Sequence, residues 1–175
     1  MEKKYVYQAL YLLDLKTIHK NEEYRLLIEL LNGYPRLVVR KHEEKYPVVK
    51  VTFTPLGIHT LIYAMENVIN TKSTFTIDSK NYKYTNGEKT GELESVGVVD
   101  LRVDDKGALV ITVSHKGESY EFPVMLDKKF FTAHYKGATL EDDVYKLTGL
   151  AYIDLLKRCV SDMVTDMQRK DKEES

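Results

Sequence analysis

The chain has 175 residues, of which 43% are hydrophobic and 30% are charged, and its formal net charge is −1. Such a chain fills one ordinary core, or two closely packed halves, but not two independent domains of about 100 residues each. The near-neutral charge argues against bulk attraction to polyanions and leaves room only for a local basic patch.

Membrane and secretion signals are not expected. No apolar run approaches the roughly 18 residues that a membrane-spanning helix needs, and the segment after Met1 continues as strand-like sequence rather than as a signal peptide. The single cysteine, Cys159, cannot form a disulfide within the chain. This usage predicts a reducing, cytoplasmic location.

Four strands are predicted in the first part of the chain, because apolar and polar residues alternate there with a period of two. They cover residues 5–16, 24–30, 34–41 and 48–53. A polar break at residues 19–21 separates the first two. Asn32-Gly33 is a tight-turn dipeptide, since both residues tolerate positive φ, and it separates the second strand from the third.

A helix is predicted directly after these strands. Thr54 suits the N-cap and Pro55 suits the first helical position, where its missing N–H costs nothing. The apolar residues that follow recur at i, i+3, i+4 and i+7, which is typical of one helix face packed on a core. They are Ile58, Leu61, Ile62, Met65, Val68 and Ile69.

The second part of the chain repeats this order. Strands are predicted at residues 75–78, 81–85, 96–103, 108–114 and 120–126, with turns at Asn86-Gly87, 104–107 and Lys116-Gly117. The polar segment 88–94 reads as a mobile loop. Turn signals every 10 to 12 residues or so are typical of an antiparallel meander.

A second helix is predicted from Thr139 to about Arg169. Residues 139–142 resemble a capping box, and Asp143 adds negative charge near the positive end of the helix. The apolar stripe is Ile153, Leu156, Val160, Met163 and Met167, widened by Leu155, Cys159 and Val164. It suits a helix lying on its own sheet, and also one that packs against a second protomer. Residues 171–175 form a polar tail.

The predicted fold class is therefore α+β. We expect one domain, residues 1–175, built from two related halves, 1–72 and 73–170, in which an antiparallel sheet is followed by an amphipathic helix.

No known catalytic or metal-binding signature is present. The five histidines are scattered, and none is spaced from a cysteine or another histidine as metal ligands are. There is no Gly-rich phosphate loop and no nucleophile elbow. We therefore expect no enzyme activity, no metal and no cofactor.

Cations and aromatic rings cluster in three places. The densest cluster is segment 128–136, with Lys128, Lys129, Phe130, Tyr135 and Lys136. Single-stranded nucleic acid needs cations for its phosphates and ring faces for its unpaired bases. The alternative is that Phe130 and Phe131 fill the junction between sheet and helix while the lysines are solvated.

The other two clusters lie on predicted strands. Tyr34, Arg36 and Arg40, with Lys50 on a neighbouring strand, share one face if Leu37 and Val39 turn inward, and the arginines must then face solvent or a partner. The third cluster consists of Lys80, Tyr82, Lys83 and Tyr84. Tyr82 and Tyr84 form an exposed pair on a hairpin if they share a face.

Four strands and a helix, repeated once, resemble the Whirly-type single-stranded-DNA-binding fold, which the eukaryotic positive transcription cofactor and phage relatives share in shorter form. The resemblance lies in element order; the plant members' Lys-Gly-Lys-Ala-Ala-Leu segment has no counterpart here. It implies that the helices 54–70 and 139–169 serve core and assembly. It also implies that the sheets present Arg36, Arg40, Lys50, Tyr82 and Tyr84 to unpaired strands.

The leading functional hypothesis is a non-enzymatic, oligomeric protein that binds single-stranded nucleic acid with little sequence preference and self-associates through its C-terminal helix. The alternative is a protein-interaction or assembly module, or an inhibitory accessory subunit, without nucleic-acid binding. Near-neutral charge and abundant tyrosine favour that alternative, because tyrosine is enriched at protein interfaces.

Overall fold

The structure is a computed structural model that describes residues 7–9, 15–31, 33–127, 129, 131 and 143–173, with side chains for 15–31, 33–127, 129, 131 and 144–166. Within these residues the chain forms two antiparallel sheets and two helices. The predicted α+β class is confirmed.

The first sheet has five strands. They are β1 (Tyr7–Ala9), β2 (Leu15–His19), β3 (Glu22–Leu31), β4 (Tyr34–Lys41) and β5 (Val49–Thr52). Because β4 pairs along β3 from Tyr24 to Leu31, β1 and β2 share the opposite edge of β3. The predicted strand 5–16 is thus two strands in line, and residues 10–14 between them lie outside the description.

Helix α1 (Pro55–Thr71) forms as predicted. The Thr54 hydroxyl oxygen accepts a hydrogen bond from the Gly57 amide at 3.0 Å, which satisfies one of the unpaired amides at the helix start. Its buried residues are the six of the predicted stripe, from Ile58 to Ile69. Lys72 ends the helix in the left-handed conformation.

The second sheet is a meander in chain order. Its strands are β6 (Phe75–Thr85), β7 (Glu88–Val103), β8 (Leu109–His115) and β9 (Glu118–Pro123). Two predictions are corrected here. Segments 75–78 and 81–85 are one strand, and segment 88–94 is not a loop but the first part of β7. Asn86 and Gly87, both at positive φ, join β6 to β7 in a two-residue turn, so the polar residues beyond it pair with β6.

One hydrophobic cluster draws on both sheets and both helices. Helix α2 (Asp143–Glu173) contributes Ile153, Leu156 and Val160 to it and packs against α1 and β8. It therefore contacts the first helix as well as its own sheet. The predicted capping box at 139–142 and Met167 lie outside the described side chains.

The two sheets meet along two seams. At the first, Gly97 of β7 lies against Val51 of β5, and the Ser79 hydroxyl donates to the Thr52 carbonyl at 2.9 Å. At the second, His19 and Lys20 at the end of β2 contact Glu118 of β9 at 3.2 and 2.6 Å. The first seam positions the candidate site.

Candidate nucleic-acid interface

A groove of about 670 Å³ runs along the first seam, between the outer face of β4 and β5 and the start of the β6–β7 hairpin. Among the residues that the structure describes, its lining contains three cationic residues and no carboxylate. They are Arg36 and Lys50 from the first sheet and Lys80 from the hairpin, with Tyr34 also in the lining. The structure thus brings together three residues of the predicted strand-face cluster, Tyr34, Arg36 and Lys50, with Lys80 of the third predicted cluster.

Strand alternation places the groove residues of the first sheet. Leu37, Val39 and Val51 turn into the core cluster. Arg36, directly opposite Thr52 in the ladder, therefore faces the other way, as does Lys50 opposite Val38. The ring of Tyr34 is more than half exposed, so it is open to stacking.

Arg36 and Arg40 do not stand free on an open sheet face. Both reach Glu29, which is fully buried: Arg36 Nε donates to Oε2 at 2.9 Å, and Arg40 Nη2 donates to Oε1 at 2.9 Å. The arginine side chains are only 14% and 21% exposed. Val38 between them is also buried. The expectation that these arginines simply face solvent or a partner is corrected in one respect, because a buried carboxylate holds both of them.

The structure also separates Arg40 from the groove. Arg40 lines a second cavity of about 340 Å³ with Arg25, Lys41 and His42 among its other residues. Neighbouring carboxylates pair with two of the cations there. Arg25 Nε donates a hydrogen bond to Glu23 at 3.1 Å, and Lys41 Nζ lies 2.7 Å from Glu22. The hydrogen bond from Lys41 lowers the pKa of Glu22 below its usual value. Because Glu43 and Glu44 also line this cavity, it is a less suitable anion site than the groove.

Beyond the groove, residues 80–95 form an arm, a two-stranded ribbon in which every residue is exposed. Tyr82 pairs with Leu93 and Tyr84 with Lys89 across the ladder, and strand alternation places both tyrosines on one side. Lys89 Nζ lies 3.4 Å from the centroid of the Tyr82 ring, which confirms the shared side. We call this side the tyrosine face; it consists of Lys80, Tyr82, Tyr84, Lys89 and Leu93.

The opposite side of the arm is acidic. Glu94 pairs with Asn81 and Glu88 with Thr85, both in the alternate positions of β6. Glu92 lies 4.0 Å from Lys83 on that side. We call this side the acidic face; it consists of Lys83, Glu88, Glu92 and Glu94. The arm therefore carries two lysines and no carboxylate on one face, and three carboxylates with one lysine on the other.

Two residues of segment 128–136 fall within the described chain. The Lys129 amide donates to the Asp127 carboxylate at 2.9 Å, and the Phe131 amide donates to the Asp127 carbonyl at 2.9 Å. Phe131 is 60% exposed, so this ring does not fill a sheet–helix junction. The predicted residues Lys128, Phe130, Tyr135 and Lys136 lie outside the description.

The second seam is aromatic and charged, but its groups serve packing. The His19 ring lies 4.8 Å from that of Tyr120, which lies 4.8 Å from that of Tyr24. Burial raises the pKa of both tyrosines. Hydrogen bonds from Lys20 and then His19 hold the pKa of Glu118 below its usual value. Among the described residues no group of histidine, cysteine, aspartate or glutamate is arranged to hold a metal ion.

Within the described part of the chain, neither helix is long and apolar enough to cross a bilayer. In comparisons with known proteins, no family model matches the chain, and no curated protein or solved structure is found similar to it. The Whirly-type resemblance therefore rests on the order of strands and helices alone, and any function has to be argued from the groove and the arm.

Proposed function

We propose that the protein binds single-stranded nucleic acid, with its phosphates in the groove and its bases against the tyrosine face of the arm. The observation that carries the proposal is the groove lining, in which the described residues include three cations and an exposed tyrosine but no carboxylate. In a chain of net charge −1, such a lining is a local basic surface of the kind that a polyanion needs.

Lys80 links the two surfaces, because it lines the groove and also begins the tyrosine face. A strand leaving the groove along the arm meets Tyr82 and Tyr84, and stacking on such rings is worth about 1–3 kcal/mol per base. Stacking and phosphate contacts are available to every base, so little sequence preference is expected. A duplex, whose bases are already stacked, gains only the phosphate contacts.

We also propose that the protein is non-enzymatic, cytoplasmic and oligomeric. Self-association through α2 is supported by Leu147 and Leu155, which are exposed two helical turns apart on one side of the helix. Light scattering of the wild-type protein and of a Leu155→Glu variant tests this part. A wild-type monomer at tens of micromolar protein rules out self-association through this helix.

Binding itself is tested by fluorescence anisotropy with a labelled 20-nucleotide oligo-dT at low salt, with the matching duplex as competitor. We expect the single strand to bind and the duplex to compete poorly. No anisotropy change with micromolar protein at low salt would reject the proposal.

The alternative, a protein-interaction module, is favoured by one feature of the arm. Tyr82, Tyr84 and Leu93 are large, exposed and adjacent, which is typical of a protein-binding patch. The two proposals predict different effects when a positive charge is removed from the groove. Loss of Lys50 weakens binding of an anionic strand, whereas it leaves a partner held by the arm's apolar residues in place.

A further inference from the structure

We infer that Glu29 is a positioning residue for the groove: it fixes the Arg36 guanidinium so that its Nη1 end is presented to a phosphate. This inference rests on the proposed function and names a residue that contacts no ligand itself. Of the three groove cations, Arg36 alone is anchored by a buried carboxylate; Lys50 and Lys80 are carried on exposed stems.

The geometry of the contact determines which donors remain. Arg36 Nε and Nη2 both approach Glu29 Oε2, at 2.9 and 2.8 Å. That edge is one of the two through which a guanidinium can grip a carboxylate or phosphate, and here both of its nitrogens share the one oxygen Oε2. Since it is directed at Glu29, the end turned away from Glu29 is Nη1, and this end is left for the groove that Arg36 lines.

The burial of Glu29 makes the anchor stiff. Its carboxylate is fully buried and also accepts from Arg40 on the far side, so it is held between two cations. A side chain fixed in this way loses little rotamer entropy when a phosphate arrives, whereas a free lysine or arginine stem loses more. Glu29 thus contributes to binding although it is an anion beneath an anion site.

The positioning role of Glu29 predicts a change in affinity opposite in sign to the change expected from simple electrostatics. Glu29→Gln raises the net charge by one, which alone would tighten the binding of an anionic strand. If Glu29 positions Arg36, the variant instead weakens oligo-dT binding, roughly threefold to tenfold, because the guanidinium is released from its fixed orientation. Tighter binding by Glu29→Gln would overturn the inference.

A second variant, Arg36→Lys, carries less risk to the fold, because a cation stays beside the buried Glu29 carboxylate. Arg36→Lys keeps the positive charge but cannot hold Glu29 through one edge and present Nη1 from the other. We expect Arg36→Lys to weaken binding roughly tenfold. Arg36→Lys with wild-type affinity would show that charge alone matters.

Further measurements separate this inference from the proposed function. In the free protein we expect the NMR signal of Arg36 Nε–Hε to be protected from exchange with solvent. This protection should be lost in Glu29→Gln. If the signal exchanges as fast as that of an exposed arginine, the inference is overturned without any ligand being needed. Wild-type protein that fails to bind oligo-dT rejects the proposed function and its positioning residue together. Binding that is insensitive to Arg36→Lys rejects the positioning residue alone.

Discussion

Removing the two groove lysines should reduce the salt dependence of nucleic-acid binding by a calculable amount. For single strands, log Kobs falls with log salt concentration by about 0.7 per phosphate contact. The groove offers three cations, Arg36, Lys50 and Lys80, so its contribution to the slope is about −2.1. Lys50→Ala with Lys80→Ala removes two contacts, and the slope should become shallower by about 1.4.

The assay is fluorescence anisotropy with labelled oligo-dT over a series from 50 to about 200 mM salt, as is usual for counterion-release measurements. The matched control is Lys83→Ala with Lys106→Ala, which changes the charge equally. Lys83 belongs to the acidic face of the arm, and Lys106 lies in the β7–β8 turn, so neither lines the groove. An equal change of slope in both double variants would mean that overall charge, not the groove, is responsible.

The lysines are a better choice than the two arginines on the same sheet face. Arg36→Ala with Arg40→Ala would leave the buried Glu29 carboxylate without the two cations that hold it. Breaking a buried ion pair by removing one partner costs roughly 3–5 kcal/mol of folding free energy. Weaker binding in that variant could then reflect unfolding. Lys50 is exposed and Lys80 has only a distant surface pairing, 3.7 Å from Asp78, so their removal spares the fold.

Two further predictions concern stability. Gly97→Ala places a methyl group 2.6 Å from the buried Val51 Cγ2 and should destabilise the protein by about 1–3 kcal/mol in urea unfolding. At Gly149 the close contact, 2.7 Å, is with the flexible tip of Ile69, and Leu109 Cβ lies at an ordinary 3.7 Å, so Gly149→Ala should gain up to about 1 kcal/mol of helix propensity. A larger loss of stability at Gly149 than at Gly97 would contradict this. In the folded state the pKa of Glu118 is lowered, chiefly by the hydrogen bond from Lys20. The contribution of Glu118 to stability is therefore complete above about pH 4.3, which is the pKa of glutamate in the unfolded chain. That contribution is lost as the pH falls through the lower pKa of the folded state. Glu118→Gln should therefore be less stable than wild type at pH 7 and lose less stability on acidification, and parallel pH profiles of the two proteins would refute the assignment.

Elements with one buried side could be predicted from the sequence because burial imposes a period. Helix α1 is the clearest case: its six apolar residues recur at helical spacing, and Thr54-Pro55 fixes its start. The arm shows the opposite case. Glu88 to Ser95 is exposed on both faces, so no hydrophobic alternation distinguishes this strand from a loop. Only the two-residue turn Asn86-Gly87 signals that the chain returns alongside β6.

Part of the candidate site could also have been derived from a turn. A two-residue turn at positions 32 and 33 pairs residue 31 with 34, and therefore Glu29 with Arg36, which is the register found in the structure. The sequence thus contains the signal that Arg36 has a carboxylate neighbour. The burial of that pair could not be derived, because it depends on what covers the outer face of the sheet. The meeting of Arg36 with Lys80 could not be derived either, since it depends on how the sheets pack along their seam.

The arm should contribute to binding but hardly to folding stability. A variant without the arm tests both expectations. Lys80 and Ser95 face each other in the ladder, so an Asn-Gly turn can replace residues 81–94 without breaking the strands. Every residue removed is exposed, and an isolated two-stranded ribbon is at best marginally stable, so the free energy of unfolding should change by less than about 1 kcal/mol.

Binding should respond differently. The groove keeps Arg36, Lys50 and Lys80, so the shortened protein should retain most of its salt dependence. The loss of Tyr82 and Tyr84 removes two stacking platforms, and affinity should fall by about thirtyfold or more, at about 1–3 kcal/mol per base. Full affinity after the deletion would show that the tyrosine face does not contact the strand. The arm would then be the surface of the alternative hypothesis, with Tyr82, Tyr84 and Leu93 available to a protein partner.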